Sequence, residues 1–448
     1  MISKLMHSMT MCYNELARLY LLSVLEQGVK KGELVVQEGG AVRHTFGNPK
    51  TGRCIGGVAI QVKDERFWGK VLGGSDLGFA EAYMLGYVDL EDIKKVLNVY
   101  LDNRDSMTAM ATPFYRLYSV LSGFKNYLLG QTLEAAHLNA IAGYDVSNDL
   151  FQAFLSEEMM YSCALWGPEE GGVRGDIEYG PSIRDLETAQ LRKIHHVLMK
   201  ARVRPGDRVL EFGTGWGALA IEAARTYGAT VDTLTLSAEQ KLLAEERIEA
   251  VGLSDKITVH LLDYRCLPDS FHKAFDAFVS IEMVEHTGAA YHTTYFSIID
   301  WALKNDRGAA VISATTQPES RYSVCQATDF GRKYIWPKAL LPSPTALITA
   351  AYKATSGKMT LESVEDHTTH YPRTLREWGR RLTAKIDSVI APKLSEQYPE
   401  LQDPRHLETF RRKWMYLFAY AEAGFSRAYA TCHMLTFVRP ENVSEFCD

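Results

Sequence analysis

The stretch Val209-Leu210-Glu211-Phe212-Gly213-Thr214-Gly215-Trp216-Gly217 constrains this chain more than any other. An apolar strand runs into a glycine turn, and a helical pattern over 216–227 starts at once. Glycine admits backbone conformations closed to other residues and lets a ligand approach the main chain, with helix N–H groups aimed at it. The sequence on either side alternates in type. Residues 208–212, 230–236, 257–262, 275–281 and 309–314 read as strands, while 238–251, stopped by Gly252, and the run 295–303 read as helices. Such alternation predicts a parallel sheet covered on both faces, an α/β Rossmann-like fold. After Ala314 the pattern breaks. Roughly a hundred residues of mostly helical periodicity precede a last strand at 434–438, predicting an insertion that roofs the site.

A glycine turn after the first strand also occurs in dinucleotide sites. Two features argue against that reading here. The spacing is GxGxG rather than GxGxxG, and Glu211 stands two positions before the first glycine. A carboxylate there repels a pyrophosphate and welcomes an amino acid's ammonium group, which favours S-adenosylmethionine as the ligand over Glu211, Gly213, Gly215 and Trp216. The second strand ends in Thr235-Leu236-Ser237-Ala238-Glu239-Gln240. Thr235 and Gln240 stand where a ribose would be bound, and Ser237 with Gln240 equally has the spacing of a helix capping box. Asp263-Tyr264, after the third strand, is placed for an adenine contact, or Asp263 is a turn residue.

Length and composition set the outer bounds. At 448 residues the chain suits two packed domains. We expect a small α+β domain over 1–105, with strands at 34–36, 44–46 and 58–62, helical spacing over 77–101 and a turn at Gly73-Gly74-Ser75-Asp76. A helical linker over 106–142 carries Phe114, Tyr115, Leu117, Tyr118 and Leu121, and the catalytic domain fills 143–448, with its helical lid at about 317–430. The formal charge of −6 gives no global basic field for nucleic acid. Arg373, Arg376, Arg380, Arg381 and Lys385 form a local basic stretch that reads as a solvated helix face, with anionic lipid contact the lesser alternative. Seven scattered cysteines without a CxxC pair indicate neither a disulfide framework nor a zinc site, so no metal is expected and a cytoplasmic location fits. The run around Leu19–Val24 is too short and interrupted to span a bilayer or to form a signal peptide.

Six ordered motifs carry a family resemblance. They are Tyr144-Asp145-Val146-Ser147-Asn148-Asp149-Leu150-Phe151 with Met160-Tyr161-Ser162-Cys163-Ala164; Ala189-Gln190 and Pro205-Gly206-Asp207 ahead of the glycine turn; Ile281-Glu282-Met283-Val284-Glu285-His286-Thr287-Gly288; Tyr334-Ile335-Trp336-Pro337; His370-Tyr371 with Trp378; and Glu422-Ala423-Gly424-Phe425. Together they resemble the cyclopropane-fatty-acyl-phospholipid synthase and mycolic acid cyclopropane synthase family, in its plant and fungal branch. Leu77 to Met84 resembles the longer members, which carry an N-terminal lipid-associated domain.

The resemblance implies a class I S-adenosylmethionine-dependent methyltransferase sheet and attack of an alkene on the sulfonium methyl. The resulting carbocation then loses a proton from the new methyl group as a ring closes. It further implies a bound bicarbonate as base. Carried over by position, Cys163, Glu285 and Tyr371 would hold that anion, with the strand end at Ser313 and Thr315, while Tyr161 and Ser162 would contact the methionine part of the cofactor. Ser313 departs from the histidine or glutamine usual in the family, and Gly143 from a histidine. Both departures bear on the product. The expected acceptor is an unsaturated phospholipid or similar lipid, reached by transient membrane contact, with a homodimer left open. The alternatives are a sphingolipid, amine or natural-product alkene acceptor on the same fold, or a lipid-binding protein with a dead site.

Overall fold

The computed structural model describes residues 2–40, 42–52, 56–108 and 148–443. The expected linker helix beyond its first three residues, Gly143, and Tyr144 to Ser147 lie outside them. The described residues divide into two compact units. The first lies within 1–145 and takes in 328–337 and 385–423; the second lies within 146–327, 338–384 and 424–448. The stretch expected as a lid is therefore shared between the two units.

The first unit carries a four-stranded sheet in the order β2-β1-β3-β4, built from β1 (Gly32–Glu38), β2 (Val42–Asn48), β3 (Gly57–Val62) and β4 (Val88–Leu90). Three helices join it: α1 (Ile2–Gly28), α2 (Arg66–Met84) and α3 (Ile93–Thr108). Val36, Phe46, Ile60, Trp68 and Leu72 share its core. The predicted helical run over 77–101 is broken, because Gly86 at φ 76 ends the turn after α2 and 88–90 pairs with β3 instead. The predicted turn at 73–76 is a kink inside α2, where Ser75 takes φ 52 and ψ −128. Buried Glu81 of the same helix accepts from Lys70 Nζ at 2.8 Å, Lys333 Nζ at 2.7 Å and Tyr334 Oη at 3.0 Å, which ties 328–337 to this unit.

The second unit is built on a seven-stranded sheet in the order β10-β11-β9-β8-β5-β6-β7. Its strands are β5 (Arg208–Phe212), β6 (Thr230–Thr235), β7 (Ile257–Leu261), β8 (Ala277–Ile281), β9 (Ala309–Thr316), β10 (Thr360–Asp366) and β11 (Thr431–Val438). Strands β5 to β9 run parallel, and β11 is antiparallel to both β9 and β10. This is the predicted α/β sheet. Its helices are α4 (Asn148–Phe154), α5 (Asp185–Lys200), α6 (Ala218–Tyr227), α7 (Ala238–Ala250), α8 (His292–Ala302), α9 (Pro344–Thr355) and α10 (Tyr371–Lys385); α11 (Pro404–Ser426), most of which belongs to the first unit, precedes the last strand in the chain.

Both sheet faces are buried, so the parallel strands read as near-continuous apolar runs. Side chains still alternate. Val209, Val279, Val311 and Met434 pack with α5, α6 and α7 residues such as Ile194, Leu219 and Ala244, while Leu210, Phe212, Phe278 and Ile312 pack with Tyr295, Ile299 and Leu347 on the other face. Strand β10 escaped the sequence reading. Its exposure alternates, but Thr360-Leu361-Glu362-Ser363-Val364-Glu365-Asp366 is an edge strand with no apolar face to reveal it.

The basic stretch on α10 is not a solvated face. Arg373 is buried, lies over the Trp166 ring and reaches Asp185 at 2.7 Å; Arg376 pairs with Asp176 at 2.7 Å; Arg381 pairs with Glu187 at 2.7 Å. Those pairs fasten α10 to the segment before β5. They leave these three guanidiniums committed within the protein rather than turned to lipid.

Candidate active site

In an open parallel sheet, ligand sites form beyond the carboxyl ends of the strands. Here that edge carries the turns after β5, β6, β7 and β8 and the end of β9. Gly213, Gly215 and Gly217 take φ of 94, 51 and 86, conformations that explain the glycines. A Cβ on Gly213 would sit 3.4 Å from that of Met283, so the glycine turn lies directly against the loop after β8. The Gly213 and Thr214 N–H groups both donate to Leu234 O, which locks the turn onto β6.

Glu211, next to last in β5, is buried at 4% exposure, and its Oε2 has no hydrogen-bond partner among the described residues. Burial pushes its carboxyl up to about 8. A buried acceptor left open in this way costs free energy unless a ligand supplies the donor. An ammonium group meets that need; a phosphate does not. The observed geometry therefore fits the amino-acid end of S-adenosylmethionine.

The other expected cofactor residues are placed as follows. Trp216 is buried, donates from Nε1 to Asn148 Oδ1 at 2.8 Å and packs on Phe151. Tyr161 lies among Phe151, Phe154 and Trp378. The Ser162 hydroxyl accepts from buried Lys193 at 2.5 Å, and its carbonyl from Gln190 at 2.9 Å. Thr235 donates to Gln240 Oε1 at 2.7 Å and accepts from Ser237 N at 3.1 Å. Ser237 caps α7 by accepting from Gln240 N at 3.2 Å, so the capping alternative is realised on one side only, with the Gln240 side chain turned to Thr235. Asp263 takes three hydrogen bonds from Arg265 and caps the short turn 264–266, while Tyr264 is buried against Phe212 and Tyr295.

The five expected catalytic residues converge, and the residue that joins them is one the sequence reading passed over. Glu282 follows β8 directly and sits at φ 50, a left-handed conformation costly for a residue with a side chain, by about 1–3 kcal/mol. Its N–H donates to Ser313 O at 2.8 Å, extending the ladder to β9. Its carboxylate accepts from Cys163 N at 2.8 Å, from the Tyr371 hydroxyl at 2.5 Å and from the Thr315 hydroxyl at 3.5 Å. Buried Glu285 accepts from Thr315 N at 2.5 Å, and its Oε2 has no partner among the described residues. Burial raises both carboxyls, and the Glu282 charge helps push Glu285 up to about 8. Tyr371 stacks on Phe425 with ring centroids 4.0 Å apart, and burial holds its phenol well above the ordinary range, as a donor. The Cys163 thiol is buried beside that of Cys432.

This arrangement does not fit the bicarbonate that the resemblance implied. Cys163 N–H and the Tyr371 hydroxyl serve Glu282 and Thr315 N–H serves Glu285, so the donors that would hold an added anion are already engaged within the protein. A signal for Glu282 was present: like Glu211, it is an acid at the carboxyl end of a buried strand. The family resemblance points instead to Glu285, three residues further along the same motif. Away from this cluster, His196, Glu365 and His367 place one ligand atom each within 4.8 Å of one another. Lys200 pairs with the same Glu365 carboxylate and supplies the positive charge a cation would bring.

The sequence profile described as mycolic acid cyclopropane synthetase matches residues 132–435. Tuberculostearic acid methyltransferase of Mycobacterium tuberculosis is 33% identical over 369 residues, covering 81% of this chain and 79% of the relative. Cyclopropane-fatty-acyl-phospholipid synthase of Escherichia coli is 30% identical over 392 residues, covering 85% and 88%. Among solved structures, the cyclopropane synthase MmaA2 of Mycobacterium tuberculosis aligns at a TM-score of 0.54 and 25% identity, over 68% of this chain and 98% of that one. With a profile match across most of its length and relatives at this identity, the chain belongs to the mycolic acid cyclopropane synthetase family.

Proposed function

We propose that this chain transfers a one-carbon unit from S-adenosylmethionine to the double bond of an unsaturated lipid acyl chain, giving a cyclopropane or methyl-branched product. The chain is a methyltransferase of the cyclopropane-fatty-acyl-phospholipid synthase kind, and its methyl donor is S-adenosylmethionine. The observation that carries the acceptor reading is the convergence of Cys163, Glu282, Glu285, Thr315 and Tyr371 beside the glycine turn.

Glu211 would bind the donor's ammonium, Gly213 and Gly215 would let it lie close to the main chain, and Tyr161, Ser162, Trp216, Thr235 and Gln240 would frame it. Asp263 and Tyr264 would border its adenine end. When bound, the donor supplies an electrophilic methyl carbon. The chain's task is then to hold an alkene against that carbon, keep water from the cation and accept one proton. Tyr371, Phe425, Trp378 and Tyr161 give the apolar wall this requires. An acyl substrate would be met at a membrane surface by peripheral contact; no helix among the described residues is long and apolar enough to cross a membrane.

The test is incubation of purified protein with methyl-labelled S-adenosylmethionine and vesicles of a cis-unsaturated phospholipid. Label is expected in the acyl chains. Binding of the donor with no label in the acyl fraction would refute the acceptor.

A further inference from the structure

The loop after β8 spends backbone strain to place one carboxylate. Glu282 is a non-glycine residue in the left-handed region, in a loop pressed against the glycine turn, and its carboxylate gathers the Cys163 N–H and the Tyr371 and Thr315 hydroxyls. Strain of this kind persists where surrounding contacts over-determine it, and it collects at working sites. As a whole residue Glu282 is half-buried, whereas Glu285 beside it is buried. Burial raises the Glu282 carboxyl, and the hydrogen bonds from Cys163 N–H and Tyr371 and the charge of buried Lys193 offset part of that rise.

We propose that Glu282 is the base of the reaction, a resident carboxylate in the cradle where an exogenous anion was expected. The inference rests on the acyl-alkene reading above. In the step assigned to it, one C–H bond of the transferred methyl breaks. Its electron pair forms the carbon–carbon bond that closes the ring or, once a 1,2-hydride shift has moved the cation to the carbon bearing the new methyl, the double bond of a methylene branch, and so discharges the carbocation. The proton goes to Glu282, which becomes a carboxylic acid and returns it to water as product leaves. No oxidant or reductant takes part. Tyr371 and the Cys163 N–H orient the carboxylate, and Glu285 holds its own proton so that two negative charges do not meet.

The test compares wild type, Glu282→Gln and Glu282→Gly, the glycine being chosen because it suits φ 50. Each is assayed for label transfer to cis-unsaturated phospholipid vesicles and, by calorimetry, for binding of S-adenosylhomocysteine. Wild type should keep its rate in buffer stripped of carbonate. Both variants should bind S-adenosylhomocysteine as wild type does, while turnover falls by at least about 100-fold, the usual worth of a positioned base. Glu282→Gly should regain turnover in proportion to added formate or bicarbonate. The inference is overturned by a wild-type rate that needs carbonate, by full turnover in Glu282→Gln, by loss of cofactor binding in both variants, or by a glycine variant indifferent to either anion. Wild type that binds the cofactor and labels no acyl chain overturns the acyl-alkene reading and this inference together. Activity in both wild type and Glu282→Gln removes the inference alone.

Discussion

Glu211→Gln should strengthen the free protein and weaken its grip on the methyl donor. In the folded chain burial holds the Glu211 carboxyl near 8, against an ordinary value of 4.5. Below pH 4.5 the folded and unfolded states are both protonated there, and the site costs nothing extra. As pH rises from 4.5 towards 8, the unfolded chain releases this proton and the folded chain retains it, so stability is lost by about 1.4 kcal/mol per pH unit. At pH 7 the accumulated loss is about 3 kcal/mol, and it levels off above 8. Glutamine does not titrate. Urea unfolding of the ligand-free proteins at pH 5, 6, 7 and 8 should show the variant's advantage growing over that window by about 1.4 kcal/mol per pH unit. Calorimetry at pH 7 should show S-adenosylhomocysteine bound about 10- to 100-fold more weakly, since a charged hydrogen bond contributes about 1.5–3 kcal/mol. Unfolding curves that keep a constant separation across pH, or an unchanged affinity, would refute the argument.

Three further substitutions separate chemistry from scaffold. Tyr371→Phe removes a donor to Glu282 and should lower kcat by about tenfold or more with cofactor affinity unchanged, read from steady-state rates and calorimetry. Cys163→Ala leaves the backbone N–H that contacts Glu282 in place, so its kcat should fall by less than about tenfold; a loss as deep as that of Glu282→Gln would give the thiol itself a role. Phe278→Ala removes a fully buried ring packed edge-on against Phe212 at 4.8 Å and should cost about 3–5 kcal/mol by urea unfolding; a loss under 1 kcal/mol would mean the core beneath the site closes up around the gap.

The sheet was legible because its strands are buried on both faces. Runs such as Val209-Leu210 and Ala309-Ala310-Val311-Ile312 declare themselves without any tertiary knowledge. Strand β10 did not, since an edge strand of mixed polar residues carries no apolar stripe, and β4 was absorbed into a helical run because its three residues are too few to set a period. At the site, the glycine turn with Glu211 was readable because its chemistry is local. Glu282 was not, because its meaning depends on a hydrogen-bonded set drawn from Cys163, Thr315 and Tyr371, which lie on other elements far apart in sequence. The role of Arg373 was misjudged for the same reason. A run of arginines on one helix looks solvated until the acids that meet it, Asp176, Asp185 and Glu187, are seen to come from another segment.

The account's core is that the methyl delivered over the glycine turn is itself deprotonated inside the carboxylate cluster. The most direct measurement supplies S-adenosylmethionine with a fully deuterated methyl group and follows the acyl product by mass spectrometry. A product that keeps two of the three deuteriums is predicted, the third having gone to the base. Retention of all three would contradict it, since the methyl would then have been passed on whole.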